Sequence, residues 1–378
     1  MKLRGILLAT TAATVTIIGV PLGVSAAEVK AGGALDLTIS GFLRAEAGGG
    51  QQDDLQLDAE KARGLDFRND TEVHILAEAR NEETGLEYGA TVKFEADTNE
   101  ELNTDETWLF IRGGWGEIRM GDQDGIVENS IVGGQTLASG TGGIDGSDFV
   151  ILPVAGGAVY PTLTDDATKI SYYTPSFSGF SLGVSFTPTQ SVVDSDELNG
   201  QFIADKNGDA AMEGENVAEA GLIYDGELGE DIQLTSSLVG LYGKLRNGGE
   251  QAFGDDTWWS ATYGAVLDIS GIQLGGSVGT NHLGDWDHQF MTAGVGYEFG
   301  PVSTSITYAW IFNSNNDFSE ANGYDKPREL VFSAGYALAP GLSLQGDIAA
   351  FDNDTNDSYD GGTGDTGWAG VGRFEVAF

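Results

Sequence analysis

Phe180-Ser181-Leu182-Gly183-Val184-Ser185-Phe186-Thr187 is the stretch that decides the fold. Phe180, Leu182, Val184 and Phe186 share one face, and Ser181, Gly183, Ser185 and Thr187 share the other. Strict period two describes a β-strand with one apolar side and one small, polar side. Outward from it the pattern recurs. Leu86, Tyr88, Ala90, Val92 and Phe94 alternate in the same way, as do Leu330, Phe332, Ala334, Tyr336 and Leu338. Val302, Thr304, Ile306, Tyr308, Trp310 and Phe312 alternate against Ser303, Ser305, Thr307 and Ala309. The last segment sets Trp368, Phe374, Val376 and Phe378 against Arg373 and Glu375.

Sixteen such segments lie end to end, starting near residues 35, 64, 86, 106, 117, 168, 179, 217, 231, 257, 271, 288, 301, 328, 341 and 367. Their connections alternate between tight turns, such as Ser270-Gly271 and Gly300-Pro301, and longer polar loops. The longest of these is 122–167. An even strand count with short turns at one end and long loops at the other predicts an all-β, 16-stranded antiparallel transmembrane barrel. Within a bilayer every backbone amide needs a partner, and a closed sheet supplies one without helices. Tyr172, Tyr173, Tyr224, Tyr297, Trp310, Tyr336 and Trp368 are expected at the headgroup belts. The alternatives are a secreted β-sandwich and a β-solenoid, and the repeat that a solenoid would show is not found.

Composition bounds the function. Among 378 residues there are 58 Asp and Glu against 18 Lys and Arg, a formal charge of −40, with 57 Gly and no Cys. Such a charge repels nucleic acid. Without Cys there is no disulfide framework, thiol nucleophile or thiolate zinc site. Lys2 and Arg4, the largely apolar run Ile6 to Val20, and the small residues Val24-Ser25-Ala26 predict a signal peptide over 1–26, with a single barrel domain over 27–378. A membrane anchor is the alternative, but the run is shorter than the roughly 20 apolar residues that span a bilayer.

Four stretches carry a resemblance. Thr38-Ile-Ser-Gly-Phe-Leu-Arg44 resembles the first strand of Gram-negative general porins. Glu106 to Gly121 resembles their fourth and fifth strands, Lys169 to Gly183 the hairpin after their third loop, and Val371 to Phe378 their last strand with its terminal Phe. The order and spacing are most similar to the alphaproteobacterial branch. The resemblance implies a homotrimeric outer-membrane barrel whose third loop folds inward and narrows the pore. Acidic residues of that loop would face a basic cluster on the opposite wall. It also implies passive diffusion of ions and small hydrophilic solutes, and a Phe378 read by the barrel assembly machinery. Outer-membrane lipid and lipopolysaccharide would surround the barrel.

The third loop, 122–167, holds Asp122, Asp124, Glu128, Asp145, Asp148, Asp165 and Asp166 and no base. Parity places Lys93, between Val92 and Phe94, and Arg119, between Ile118 and Met120, on the lumen face. Arg44 occupies the family's lumen-facing position. A cation on the lipid face would cost about 2–4 kcal/mol at mid-bilayer. Arg44, Lys93 and Arg119 are therefore the expected basic wall, and Asp122, Asp124, Glu128, Asp145 and Asp148 the acidic side. Glu72, Glu87, Glu95 and Asp97 thin that basic wall, so a cation-preferring pore is expected. A channel with a saturable site for one solute and a plugged structural barrel are the alternatives.

Enzymatic chemistry is not expected. His74 is the one His deep in a strand, and no Ser partner accompanies it. His282 and His288 would be a metal pair only if one hairpin brought them together. Asp352-Asn-Asp-Thr-Asn-Asp357 begins like a helix-loop-helix calcium site. It carries Asp357 where that loop needs Gly and Thr363 where it needs Glu. No cofactor is required, and calcium is expected only at looser acidic-loop sites whose ligands the sequence does not assign.

Overall fold

The computed structural model describes residues 27–29, 35–52, 65–96, 104–145, 161–192, 212–229, 231–246, 254–315, 328–353 and 365–378. The expected leader 1–26 lies outside them, as do Asp97 and Asp148.

Sixteen strands form a closed antiparallel barrel, and a seventeenth short one completes its edge. The strands are β1 (Ala27–Val29), β2 (Asp36–Gln52), β3 (Asp66–Asn81), β4 (Leu86–Glu95), β5 (Thr107–Gly113), β6 (Gly116–Asp122), β7 (Thr168–Tyr173), β8 (Phe180–Val192) and β9 (Met212–Gly229). They continue with β10 (Ile232–Arg246), β11 (Thr257–Ile269), β12 (Ile272–Leu283), β13 (Trp286–Phe299), β14 (Val302–Asn315), β15 (Arg328–Ala339), β16 (Leu342–Asn353) and β17 (Asp365–Ala377). Each of β2 to β17 pairs with its sequence neighbours, and β17 returns to β2 with Gly367 opposite Gln52 and Ala377 opposite Phe42. Gly41 and Phe378 then exchange two backbone bonds of 3.0 Å. Beyond that point β1 takes over the same edge of β2, with Ala27 opposite Ile39 and Val29 opposite Leu37. The short β1 and the last strand thus meet at one seam.

The predicted strand starts agree with the observed ones to within two residues, except at β9. That strand begins five residues early, because Met212-Glu-Gly-Glu-Asn216 runs on past the apolar band, where neither face needs to be apolar. The tight turns lie at the end that carries Phe378. At Ser270-Gly271 both central residues have positive φ, 55° and 87°. This is the primed geometry that matches strand twist in a two-residue hairpin. Among the described residues no helix is long and apolar enough to cross a membrane.

Alternation sorts the two faces. Leu43, Leu109, Ile111, Ile118, Met120, Leu182, Val184, Phe186, Leu222, Leu274, Ile306, Phe332, Ile348 and Phe374 point outward and are exposed on the isolated chain. Such a band suits a hydrocarbon surround. Ser185, Thr187, Ser260, Thr262, Thr292, Ser305, Thr307 and Ser333 point inward and are buried. Strand side chains in an open water-filled barrel would not be so covered. What covers them is the long connection between β6 and β7, referred to below as loop 3. It enters the barrel through helix α1 (Ile126–Ser130) and two 3-10 turns, Gln135–Leu137 and Gly143–Asp145.

Candidate functional site: the lumen and loop 3

Loop 3 lies along one half of the inner wall. Helix α1 packs on β8, β9 and β10, the first 3-10 turn on β12, β13 and β14, and the second on β14, β15 and β16. The wall is recessed to receive it. A methyl group at Gly264 would lie 1.6 Å from the Val132 carbonyl oxygen, and one at Gly183 would lie 2.9 Å from the Ile126 side chain. Methyl groups at Gly275 and Gly294 would crowd Leu137. Between these recesses, small hydroxyls and one carboxylate accept from the loop's backbone. Thr292 Oγ1 accepts from Gly134 N at 2.9 Å, Ser305 Oγ from Ser139 N at 2.7 Å and Thr307 Oγ1 from Ile144 N at 3.2 Å. Asp347 accepts from Thr141 N at 3.1 Å, Gly143 N at 3.2 Å and the Thr141 hydroxyl. A loop has no ladder of its own, so these wall groups satisfy amides that would otherwise be buried unpaired. Apolar contacts fill the remainder. Val127 packs with Val217, Val239, Leu241, Leu245, Trp258, Leu283 and Trp286, while Ile144 packs with Phe290, Ile311, Val331 and Phe351.

The facing wall, β17 and β2 to β6, is charged, and helix α1 and the two 3-10 turns pack on the other strands. Arg44 binds Asp70 at 2.9 Å and Glu375 at 2.8 Å, and its guanidinium stacks 3.7 Å from the Phe42 ring centre. Arg373 binds the buried Glu46 at 2.5 Å. Lys93 binds Glu106, which also accepts from Trp108 Nε1 at 2.9 Å. Arg119 binds Glu117 and lies between the rings of Trp108 and Tyr173, 4.6 and 4.7 Å away. Arg112 spans Glu87 at 2.7 Å and Glu78 at 3.1 Å. His74 meets Glu72 at 2.6 Å. Each base expected to line the pore therefore carries a carboxylate partner.

The two walls meet where loop 3 leaves and rejoins the barrel. Carboxylate oxygens of Glu106, Asp124 and Asp166 lie within 4.8 Å of one another, as do those of Asp124, Glu128 and Asp165, and those of Glu72, Glu95 and Asp105. Glu128 Oε2 and Asp166 Oδ1 are buried without a hydrogen-bond partner. Burial first, and then neighbouring carboxylates, make it costly to ionise them all. The Asp124 carboxyl is pushed up to about 6 by burial and by Glu106, and that of Asp166 to about 9 by burial and by Asp165. Glu128 is held well above the usual carboxylate range by burial and by Asp124. Lys169 Nζ donates to the backbone carbonyls of Gln123 and Asp165 at this junction.

Of the residues expected from sequence, Arg44, Lys93 and Arg119 share the charged wall, Asp124 approaches Lys93 from the loop root, and Glu128 lies beside Asp124 toward Lys169. Asp122 does not join them. It closes β6 two residues after Met120 and shares that outward face, where its carboxylate binds Thr107 at 3.3 Å and the Thr168 hydroxyl. Asp145 ends the second 3-10 turn, and its side chain lies outside the described part. Tyr173 is not in a belt, since it faces the lumen against Arg119, while Tyr172 faces outward and stacks on Trp115. Adjacent strand residues cannot share a face. The same rule separates the two His residues. His282 stands opposite Asp287 and binds it at 2.7 Å, whereas His288 stands opposite Asn281 on the inner face. They form no metal pair. Sequence reasoning misses Glu219, Asp347 and Lys169; strand parity places each on the inner face, with Ala218 and Ala220, Ile348 and Ile170 on the outer one, but gives no partner for them.

A family model described as Gram-negative porin matches residues 9–356. An uncharacterized protein of Rickettsia bellii is 25% identical over 49% of this chain and 50% of its own length, so the chain spans about half of that relative. An uncharacterized protein of Rickettsia typhi is 23% identical over 83% of this chain and 86% of its own length. Among solved structures, the outer membrane channel DcaP of Acinetobacter baumannii superposes with a TM-score of 0.62 at 14% identity, over 93% of this chain and 100% of that one. The anion-selective porin of Comamonas acidovorans superposes with a TM-score of 0.59 at 19% identity, over 90% and 99%. At such identities these structures share the fold.

Proposed function

The chain belongs to the Gram-negative porin family, and from that premise we propose that it is a cation-preferring channel for passive diffusion of ions and small hydrophilic solutes. It is a non-enzymatic outer-membrane β-barrel. The observation that carries the preference is the charge balance where loop 3 meets the open wall. Arg44, Lys93 and Arg119 are each neutralised by a carboxylate, and Asp124 at the loop root and the Glu72, Glu95 and Asp105 cluster add further acid, while burial keeps Glu128 and Asp166 protonated at neutral pH. Low-dielectric walls focus that field at the narrow part of the lumen. Planar-bilayer recording in a dilute potassium chloride gradient tests it: a reversal potential of cationic sign is expected, and anion preference would overturn the reading. Flux that saturates with one solute would favour a solute-specific channel, and no conductance would favour a plugged barrel.

The outward face also supports the homotrimer. Around the seam it mixes small and polar residues, Ala45, Ala47 and Gly49 of β2, Asn69 and Thr71 of β3, and Gly370 and Gly372 of β17, with the large apolar Leu43, Phe67, Trp368 and Phe374. Small and polar residues suit a copy of the chain better than lipid. Calcium fits the loop root, because Glu106, Asp124 and Asp166 would hold it through oxygen donors alone, as that ion requires. It would there neutralise mutually repelling carboxylates. The acidic outer loops would bind lipopolysaccharide through divalent cations.

Phe378 serves assembly more than stability in this reading. Its backbone closes the seam, but its side chain stays exposed. Deleting it is expected to lower the amount of barrel reaching the outer membrane more than it lowers the thermal stability of the folded fraction, and Phe378→Ala, which keeps both backbone bonds to Gly41, should leave that stability nearly unchanged. Equal membrane levels would contradict this.

A further inference from the structure

Loop 3 leaves the barrel wall through Gln123 to Ile126 and returns through Thr164 and Asp165. Two side chains of opposite charge, from different strands, each touch both limbs. Lys169, on β7, is 2% exposed, and its Nζ donates to the carbonyl of Gln123 on the outgoing limb and to that of Asp165 on the returning one. Glu219, on β9, is 3% exposed. Its Oε2 accepts from Ile126 N at 2.6 Å on the outgoing limb, and its Oε1 accepts from Thr164 Oγ1 at 2.9 Å on the returning one. Ser185 Oγ donates to Glu219 Oε2 at 2.6 Å and fixes the carboxylate to the neighbouring strand.

The chemistry is complementary. An ammonium only donates and a carboxylate only accepts. The cation therefore collects the carbonyls of both limbs, and the anion collects an amide and a hydroxyl. Charge-assisted bonds of this kind are stronger than neutral ones. Local sequence makes room for them, because a methyl group at Gly125 would lie 2.2 Å from Glu219 Oε2. The rest of the loop is held by neutral side chains and by Asp347, which touches one limb at Thr141 and Gly143.

We propose that Lys169 and Glu219 form a buckle that closes the base of loop 3 and thereby sets the width of the constriction. They are positioning residues for permeation, since both are buried and act through the loop. This rests on the channel reading above.

The test is single-channel recording of the full-length protein and five variants, with heat-modifiable electrophoretic mobility confirming folded barrels. Glu219→Gln and Lys169→Met should each raise unitary conductance and open-channel noise, and shift the reversal potential toward zero. The double variant should go no further than the larger single one, because both residues hold the same joint. Thr164→Val removes one limb from the buckle without altering charge, and should reproduce part of the Glu219→Gln change. Ser185→Ala leaves both limbs attached and weakens only the anchorage of the carboxylate, so its change should be smaller than that of Thr164→Val. If Lys169→Met does not fold, Glu219→Gln and Thr164→Val decide alone. Parental conductance and noise in those two variants would overturn the buckle, as would a Ser185→Ala change as large as that of Thr164→Val. A parent that does not conduct would instead overturn the channel reading.

Discussion

One barrel carries two kinds of inner wall. From β17 through β2 to β6 the lumen face is built from Arg, Lys, Glu and Asp; from β8 to β16 it is mainly Gly, Ser, Thr and Ala, turning apolar toward the loop end. Both walls obey the same alternation with an apolar exterior. The difference lies in what each inner face touches. Charged side chains pair with one another, several of them buried such as Arg373 with Glu46 and Arg119 with Glu117, because an unpaired charge at a low-dielectric wall is costly. Small residues stand where a second layer of chain must fit. Alternation thus settles which face is inward, and side-chain size settles whether that face bounds solvent or supports a loop.

The sharpest way to break the contrast is to fill the recess. Gly264→Val would thrust a side chain into the Val132 carbonyl, which a methyl group alone would approach to 1.6 Å. Overpacking of this kind costs about 1–3 kcal/mol, enough to displace a loop. A clearly larger unitary conductance is expected, and a parental value would show that loop 3 sits elsewhere. The charge side is tested by Asp124→Asn, which should move the reversal potential toward zero in dilute salt above pH 6, whereas Glu128→Gln replaces a carboxyl that burial keeps protonated and should add little. The parental preference should itself fade at high salt, as the Debye length falls from about 10 Å at 0.1 M to about 3 Å at 1 M.

A smaller effect should follow pH. The folded Asp124 carboxyl titrates at about 6, so it is neutral below that pH and charged above it. Cation preference should therefore rise between pH 5 and pH 7. The linked effect on loop docking has the opposite sign: a carboxyl whose pKa folding raises binds its proton more tightly when docked, so docking is favoured in acid and weakens as pH rises through about 6. Selectivity that falls over this interval would contradict the assignment. The smallest change is expected from Arg44→Ala. It leaves Asp70 and Glu375 without their shared cation and should move the reversal potential away from zero, partly offset by nearby Arg373.

Much of this is legible in the sequence. Phe180 to Thr187 and its counterparts placed the strands to within two residues nearly everywhere, and parity put Arg44, Lys93 and Arg119 on the inner face. Met212 to Asn216 was missed because a strand that has left the apolar band loses the alternation that reveals it. Asp122 and Tyr173 were misplaced for a single reason: they were sorted by loop membership and residue type, whereas their faces follow from counting along the strand from Met120 and Tyr172.

The sequence by itself determined the closed barrel, its lipid-facing side and the excess of carboxylate, because period two and net charge are local or summed properties that need no partner in space. Only the tertiary structure decided that Asp124, Glu128 and Asp166 share one junction with Glu106, that Gly264 and Asp347 serve loop 3, and that Lys169 and Glu219 grip both of its limbs. Those residues lie tens to hundreds of positions apart. Their meeting depends on strand register and on the path of a loop held by side-chain contacts, and neither is written in the spacing of residues along one strand.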